Sequence, residues 1–243
     1  GTAGTFDVFL PAATYTNILI AATTITDVTY GVQLPKDLVI KRSVITNVGT
    51  LSGAPCAVIT SAGELQDYLS APATNAFIVK DINLADVELT PCESLEYTLD
   101  GMGHSLKNWV CKKAMVTSLK GSILNLTVDS SCQIQPDNRF DMGALVSIAA
   151  EGSLVKGCVN KADITIDDES GAQSVMGSLV GRSNKGLIQE CVNEGSITFT
   201  LGGLENTQYI GGILGMNGSP SADVLRIKDC VNTGDVTITV NGA

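Results

Sequence analysis

The sequence has one histidine, one tryptophan and few charges: aromatic residues make up 5% of its 243 positions and charged residues 16%. Arginine stands only at Arg42, Arg139, Arg182 and Arg226. Clustered cations, which nucleic-acid binding needs to displace counterions, are missing, and the net charge of −10 points the same way. It argues more weakly against an acidic polysaccharide. No apolar run reaches the roughly 18 residues of a membrane span. The seven cysteines form no CxxC pair, and with His104 alone the ligand spacing of a structural zinc site is absent.

What the chain has in quantity is glycine and short runs of valine, isoleucine and threonine, which favour strands. It also repeats itself. "CVNKADITI" (158–166), "CVNEGSITF" (191–199) and "CVNTGDVTI" (230–238) align on Cys158, Cys191 and Cys230. Asn160, Asn193 and Asn232 follow two places on. Then come Ile164, Ile197 and Val236, a threonine in each, and Ile166, Phe199 and Ile238. Apolar–Thr–apolar is the period of two that gives a strand one buried face. Upstream, Gly143, Gly177 and Gly211 recur at a constant offset within "MGALV", "MGSLV" and "GGILG".

Such units do not bury their apolar faces alone; stacking them makes a continuous core. Three short parallel strands per unit, stacked at roughly 4.8 Å, predict a parallel β-helix with identical residues in columns. The cysteines are expected as small buried hydrophobes in one inward column, because parallel Cβ vectors about 4.8 Å apart miss disulfide geometry. The asparagines are expected to bond along a turn. Fainter units lie at "FIVKDINL" (77–84), "LEYTLDGMGHSLKNW" (95–109) and "MVTSLKGSILNLTV" (115–128), with Ile123, Leu126 and Val128 as core candidates. Before them, Ser61 and Glu64 have capping-box spacing. Leu65, Tyr68 and Leu69 share one helical face, and Pro72 stops continuation. That short helix is expected to cap the open end of the stack.

"GSLVGRSNKGLIQECVNEGSITF" resembles the GLUG-motif repeats of bacterial secreted and surface proteins. "TLDGMGHSLKNW" resembles the Asp-Gly-x-Gly-His turn that often precedes them. "SAGELQDYL…FIVKDINL" is similar to the entry helix and first strand of pectate-lyase-like right-handed parallel β-helices. The resemblance covers roughly residues 58–240, and the β-helix domain is placed at 58–243. It implies an extracellular or cell-surface setting and leaves activity open, since this fold hosts lyases, hydrolases, adhesins and spacers. Residues 1–52 read as three or four antiparallel strands with Pro11 and Pro35 at edges or turns, faintly similar to the last strands of fimbrillin-like sandwiches, and are expected to be part of a truncated one.

Enzymes of this fold act on sugars, so the chemical candidates are Asp167, Asp168, His104 and Arg226. The Arg226–Lys228 tripeptide, the paired aspartates and Gly103-His104 match elements of polygalacturonase-type hydrolases, but in the wrong order. Arg226 also falls on the repeat position of Leu154 and Leu187. A lyase would need calcium, for which Asp167, Asp168 and Glu169 are the only acidic run. For sugar binding, Trp109 and Tyr209 are the aromatic candidates, and loops such as "DDESGAQSV", "TLGGLENTQY" and "GSPSAD" the natural contact surface. The expectation is a non-enzymatic, adhesin-like surface module or rigid spacer, with no cofactor, a glycan or protein partner, and end-to-end self-association as a further possibility. The alternative is a carbohydrate-active enzyme.

Overall fold

The computed structural model describes residues 10–24, 26–41, 52–136, 140–168, 173–202, 206–218 and 226–241. The chain divides into two compact units, Gly1–Cys56 and Ala57–Ala243. In the first, Leu19–Thr23 pairs antiparallel with Thr29–Gln33, and Ala13–Tyr15 with Leu38–Ile40. Tyr30 and Gly31 pair with Pro55 and Ala54. Pro11 precedes the first strand and Pro35 lies in the turn after Gln33, where a missing N–H costs the ladder nothing.

The second unit is a parallel β-solenoid built on four faces. Sheet A stacks Ile82–Asn83, Ser105–Lys107, Thr127–Val128, Val159–Asn160, Val192–Asn193 and Val231–Asn232. Sheet B stacks Val110–Cys111, Gln133–Ile134, Ile164–Asp168, Ile197–Leu201 and Val236–Val240. Sheet C holds Cys92–Leu95, Val116–Leu119, Val146–Ala149, Val180–Ser183 and Leu214–Asn217. Sheet D holds Asn75–Ile78, Thr98–Asp100, Ser122–Leu124, Leu154–Lys156, Leu187–Gln189 and Ile227–Lys228. The chain visits them in the order C, D, A, B, rung after rung, and every neighbouring pair is parallel. The expected asparagine turn is itself a strand, which raises three strands per unit to four. Two residues such as Val159 and Asn160 are too few to show a period, so only their ladder bonds reveal them.

Inward columns follow the register. Leu99, Ile123, Val155 and Ile188 form one, and Cys111, Ile134, Ile164 and Ile197 another. All belong to one buried cluster together with Leu126 and Val128. Helix α1 (Ala62–Ser70) adds Leu65, Tyr68 and Leu69 to that cluster at the entrance of the stack. Its cap differs in one bond from the capping box: Ser61 Oγ accepts from Glu64 N, but the Glu64 carboxylate reaches back to Thr60 N and Oγ1 instead of the Ser61 N–H.

Cys158 and Cys191 are buried free thiols and Cys230 is a half-buried one. Each follows a residue held near φ +55°: Gly157 (φ 64), Glu190 (φ 54) and Asp229 (φ 52), the sharp corner from sheet D to sheet A. Leu126 holds the same corner position one rung earlier, after Asn125 (φ 49). Cys230 departs from the expected shielding, and so do its neighbours. Val236, Ile238 and Val240 continue buried columns, yet Ile238 is 51% exposed, because no described rung lies beyond them.

Candidate functional site

The sequence candidates for acid–base chemistry do not meet. Asp167 lies on sheet B opposite Thr200. His104 sits at the corner leading into sheet A, at the rung of Ser105–Lys107, and Arg226 adjoins the last strand of sheet D. Four ladder steps separate the rungs of His104 and Arg226, which is about 19 Å at the spacing of parallel strands. The backbone of Asp168 pairs with Leu201, whereas Glu169 lies outside the described residues. Among the described residues, no three histidine, cysteine, aspartate or glutamate side chains gather as metal ligands.

The Asp100–His104 turn has a structural explanation. Asp100 is buried and its Oδ1 accepts from Met102 N at 2.8 Å and Asn125 Nδ2 at 3.1 Å. Met102 and Gly103 take positive φ, and a Cβ on Gly101 would press on Asn125 O and Leu126. This delivers His104 to the outer surface, where Nδ1 stands 3.4 Å from Asp81 Oδ1.

Asp81 is the centre of a group that sequence reading missed. Its Oδ2 takes a 2.6 Å contact from Lys107 Nζ, and its Oδ1 accepts from Ser105 N at 3.0 Å. The Lys107 bond, then the Ser105 N–H, hold its carboxyl below the usual carboxylate range. One corner away, Ser131 N and Oγ do the same for Asp129. Asn83 and Asn108 bridge the rungs beside them at 2.9 Å. The signal that would have found the group is the offset between Asp81 and Ser105, which recurs in Glu88–Lys112 and Glu96–Lys120. It marks a shorter early coil, of 24 residues, than the later units show.

Trp109 is 2% exposed and faces the interior, so it offers no platform for a sugar. It is one of the residues lining a small pocket of ≈140 Å³, with Glu88, Pro91, Val110, Lys112 and Lys113. Pockets that enclose drug-sized ligands start near 300 Å³, so this one admits a terminal group and not a sugar ring with its neighbours. Tyr209 is 36% exposed on Tyr209–Gly211, a strand paired in parallel with Val175–Gly177. Both strands follow a sheet B strand in the chain, and "GSPSAD" follows a sheet C strand. Residues 169–172, 203–205 and 219–225 of the connecting loops lie outside the described residues.

The described outer surface carries an Asp81–His104–Lys107 group, a shallow pocket and two exposed tyrosines, Tyr97 and Tyr209, an arrangement suited to contact and not to a converged acid–base pair. No family model matches the chain, and no curated protein or solved structure matches it either.

Proposed function

We propose that this chain is a non-enzymatic, secreted or cell-surface β-solenoid module that holds its inter-repeat connections, with Tyr209 beside them, against a glycan or a protein, or serves as a rigid spacer. The observation that carries this reading is the dispersal of the candidate groups: Asp167, His104 and Arg226 stand on different faces and different rungs. General acid–base chemistry needs its groups within hydrogen-bond reach of one substrate. The solenoid instead presents parallel ladders whose outside carries lysine–carboxylate pairs from rung to rung, which suits extended contact. The likeness of the repeats to GLUG-type surface proteins supports the extracellular setting.

The test is incubation with a broad panel of polysaccharides and host glycans, with bound protein and released sugar measured together. Binding without release, weakened at least tenfold by Tyr209→Ala, is the expected result. Release of sugar overturns it in favour of the carbohydrate-active alternative, with His104, Asp167 and Arg226 as the first substitutions. Silence in both leaves the protein-partner and spacer forms of the proposal, to be separated by pull-down of surface proteins.

A further inference from the structure

We infer that Arg226, just before the last strand of sheet D, is the receptor of a small oxyanion. Its side chain is 5% exposed, and Nε, Nη1 and Nη2 all lack a hydrogen-bond partner among the described residues. A guanidinium keeps its positive charge and carries five N–H donors in a planar fork. Removing it from water without satisfying those donors is among the costliest arrangements a fold can hold. Native structures pair such groups, so three orphaned nitrogens on one buried side chain require a partner.

The repeat supplies an independent argument. Ile227 is the register partner of Ile188 and Lys228 of Gln189, and Ile188 N donates to Arg226 O at 2.7 Å. Arg226 therefore stands one step before the sheet D strand, where the two previous rungs carry Leu154 and Leu187, both half-buried. The architecture asks for a leucine here, and the arginine is not required by the ladder, the corner or the core. Ile227 continues the column of Ile188 but is 41% exposed at this last described rung, whereas Arg226 beside it is buried. Lys228, two residues on, already faces a carboxylate, Asp229 Oδ2 at 3.9 Å, and adds nothing to the fork. Two parallel N–H donors select an anion with two or more oxygens on one centre: a carboxylate, a sulfate or a phosphate group. An aromatic or neutral sugar face would leave the charge unanswered.

The experiment follows melting of the whole chain against sodium sulfate, sodium phosphate and sodium glucuronate, each balanced with chloride to one ionic strength, for wild type, R226L and R226K. Ligand binding to the native state alone gives a rise that follows the logarithm of occupancy. Salt exclusion from the surface gives a rise of the same size in every variant. The expected result is a larger wild-type rise in at least one anion, with R226L retaining only the general salt response and R226K binding at least tenfold more weakly than wild type. The anion active at the lowest concentration identifies the source of the oxyanion. In chloride alone, R226L is expected to melt no lower than wild type, since leucine is the residue of the earlier rungs. Parallel rises in wild type and R226L overturn the proposal. So does an R226L that melts several degrees lower in chloride, which would show that the chain itself partners the guanidinium. If R226L does not fold, calorimetric titration of wild type with the three anions decides: saturable heat supports the site, and none in any of them overturns it.

Discussion

Asn160 Nδ2 donates to Asn193 Oδ1 at 2.8 Å, and Asn193 Nδ2 repeats the bond to Asn232 Oδ1 at 2.7 Å. Each amide also donates to the backbone carbonyl two residues ahead, on Ala162, Gly195 and Gly234. The ladder thus closes the corner between sheets A and B and satisfies carbonyls that no strand bonds. Replacing Asn193 by alanine removes a buried amide that serves three partners. Unsatisfied buried polar groups cost about 1–3 kcal/mol each, so we expect Asn193→Ala to destabilise by about 2–4 kcal/mol in urea unfolding. Asn232→Ala, at an exposed position, should cost under about 1 kcal/mol. Ligand binding should be unchanged in both. Loss of binding without loss of stability would make the ladder functional instead of structural.

The column beside the ladder explains why those asparagines fit. Register places Trp109, Cys132, Ala162, Gly195 and Gly234 above one another, a steady decrease in size along the stack. Over the same rungs the sheet A column changes from Leu106 and Val128 to Asn160, Asn193 and Asn232. Volume leaves one column as polarity enters its neighbour, and a Cβ on Gly195 would collide with Ala162 O.

The thiols should separate by rung. The neighbouring Cys191 thiol, then burial, pushes the Cys158 thiol well above its ordinary range, while Cys230 is half-buried with burial as the first cause of its smaller rise. Reactivity follows access to the thiolate. A thiol reagent at neutral pH should therefore modify Cys230 slowly under native conditions and leave Cys158 and Cys191 untouched until denaturant is added. Peptide mapping after a timed pulse checks this; modification of Cys158 before Cys230 would contradict the inward column.

The acid limb of stability should depend on Asp81. Its folded-state carboxyl titrates below its unfolded value because Lys107 and Ser105 N–H favour the charged form. Its contribution is therefore complete above the unfolded carboxylate range, near pH 4, and is lost as pH falls through the depressed folded value. Asp81→Asn should lower stability at pH 7 by at most about 1 kcal/mol, since the group is solvent-screened. The two unfolding curves should converge in acid, below the depressed folded-state value. A constant gap at all pH values would mean that the carboxylate charge is irrelevant.

Much of the solenoid is legible in the sequence because identical residues must stack. The shared Cys-x-Asn phase at Cys158, Cys191 and Cys230, and the glycine column at Gly143, Gly177 and Gly211, announce their rungs. The outer surface is not legible in that way. Asp81, His104 and Lys107 meet on early coils that are shorter than the later ones, and only the acid–lysine offset of Glu88–Lys112 and Glu96–Lys120 marks that length. Arg226 reads as an ordinary repeat position, and only its burial without partners sets it apart. Exposure at the last described rung depends on what covers a column, which no local pattern encodes.

Trp109 is the residue for which sequence and structure differ most in consequence. As the sole tryptophan after a sugar-enzyme-like turn it invites a stacking role, yet its indole closes the wide end of the tapering column. Its fluorescence should accordingly be blue-shifted, weakly quenched by acrylamide and unchanged by any glycan that binds. Trp109→Ala opens a cavity at the first rungs, and large-to-small changes of this kind cost about 3–5 kcal/mol. Trp109→Phe should recover more than half of that, because the column needs volume more than an indole N–H. A red-shifted, readily quenched emission, or a Trp109→Ala that loses a ligand while melting normally, would return the tryptophan to the surface and make the ≈140 Å³ pocket it lines the place to search for a sugar.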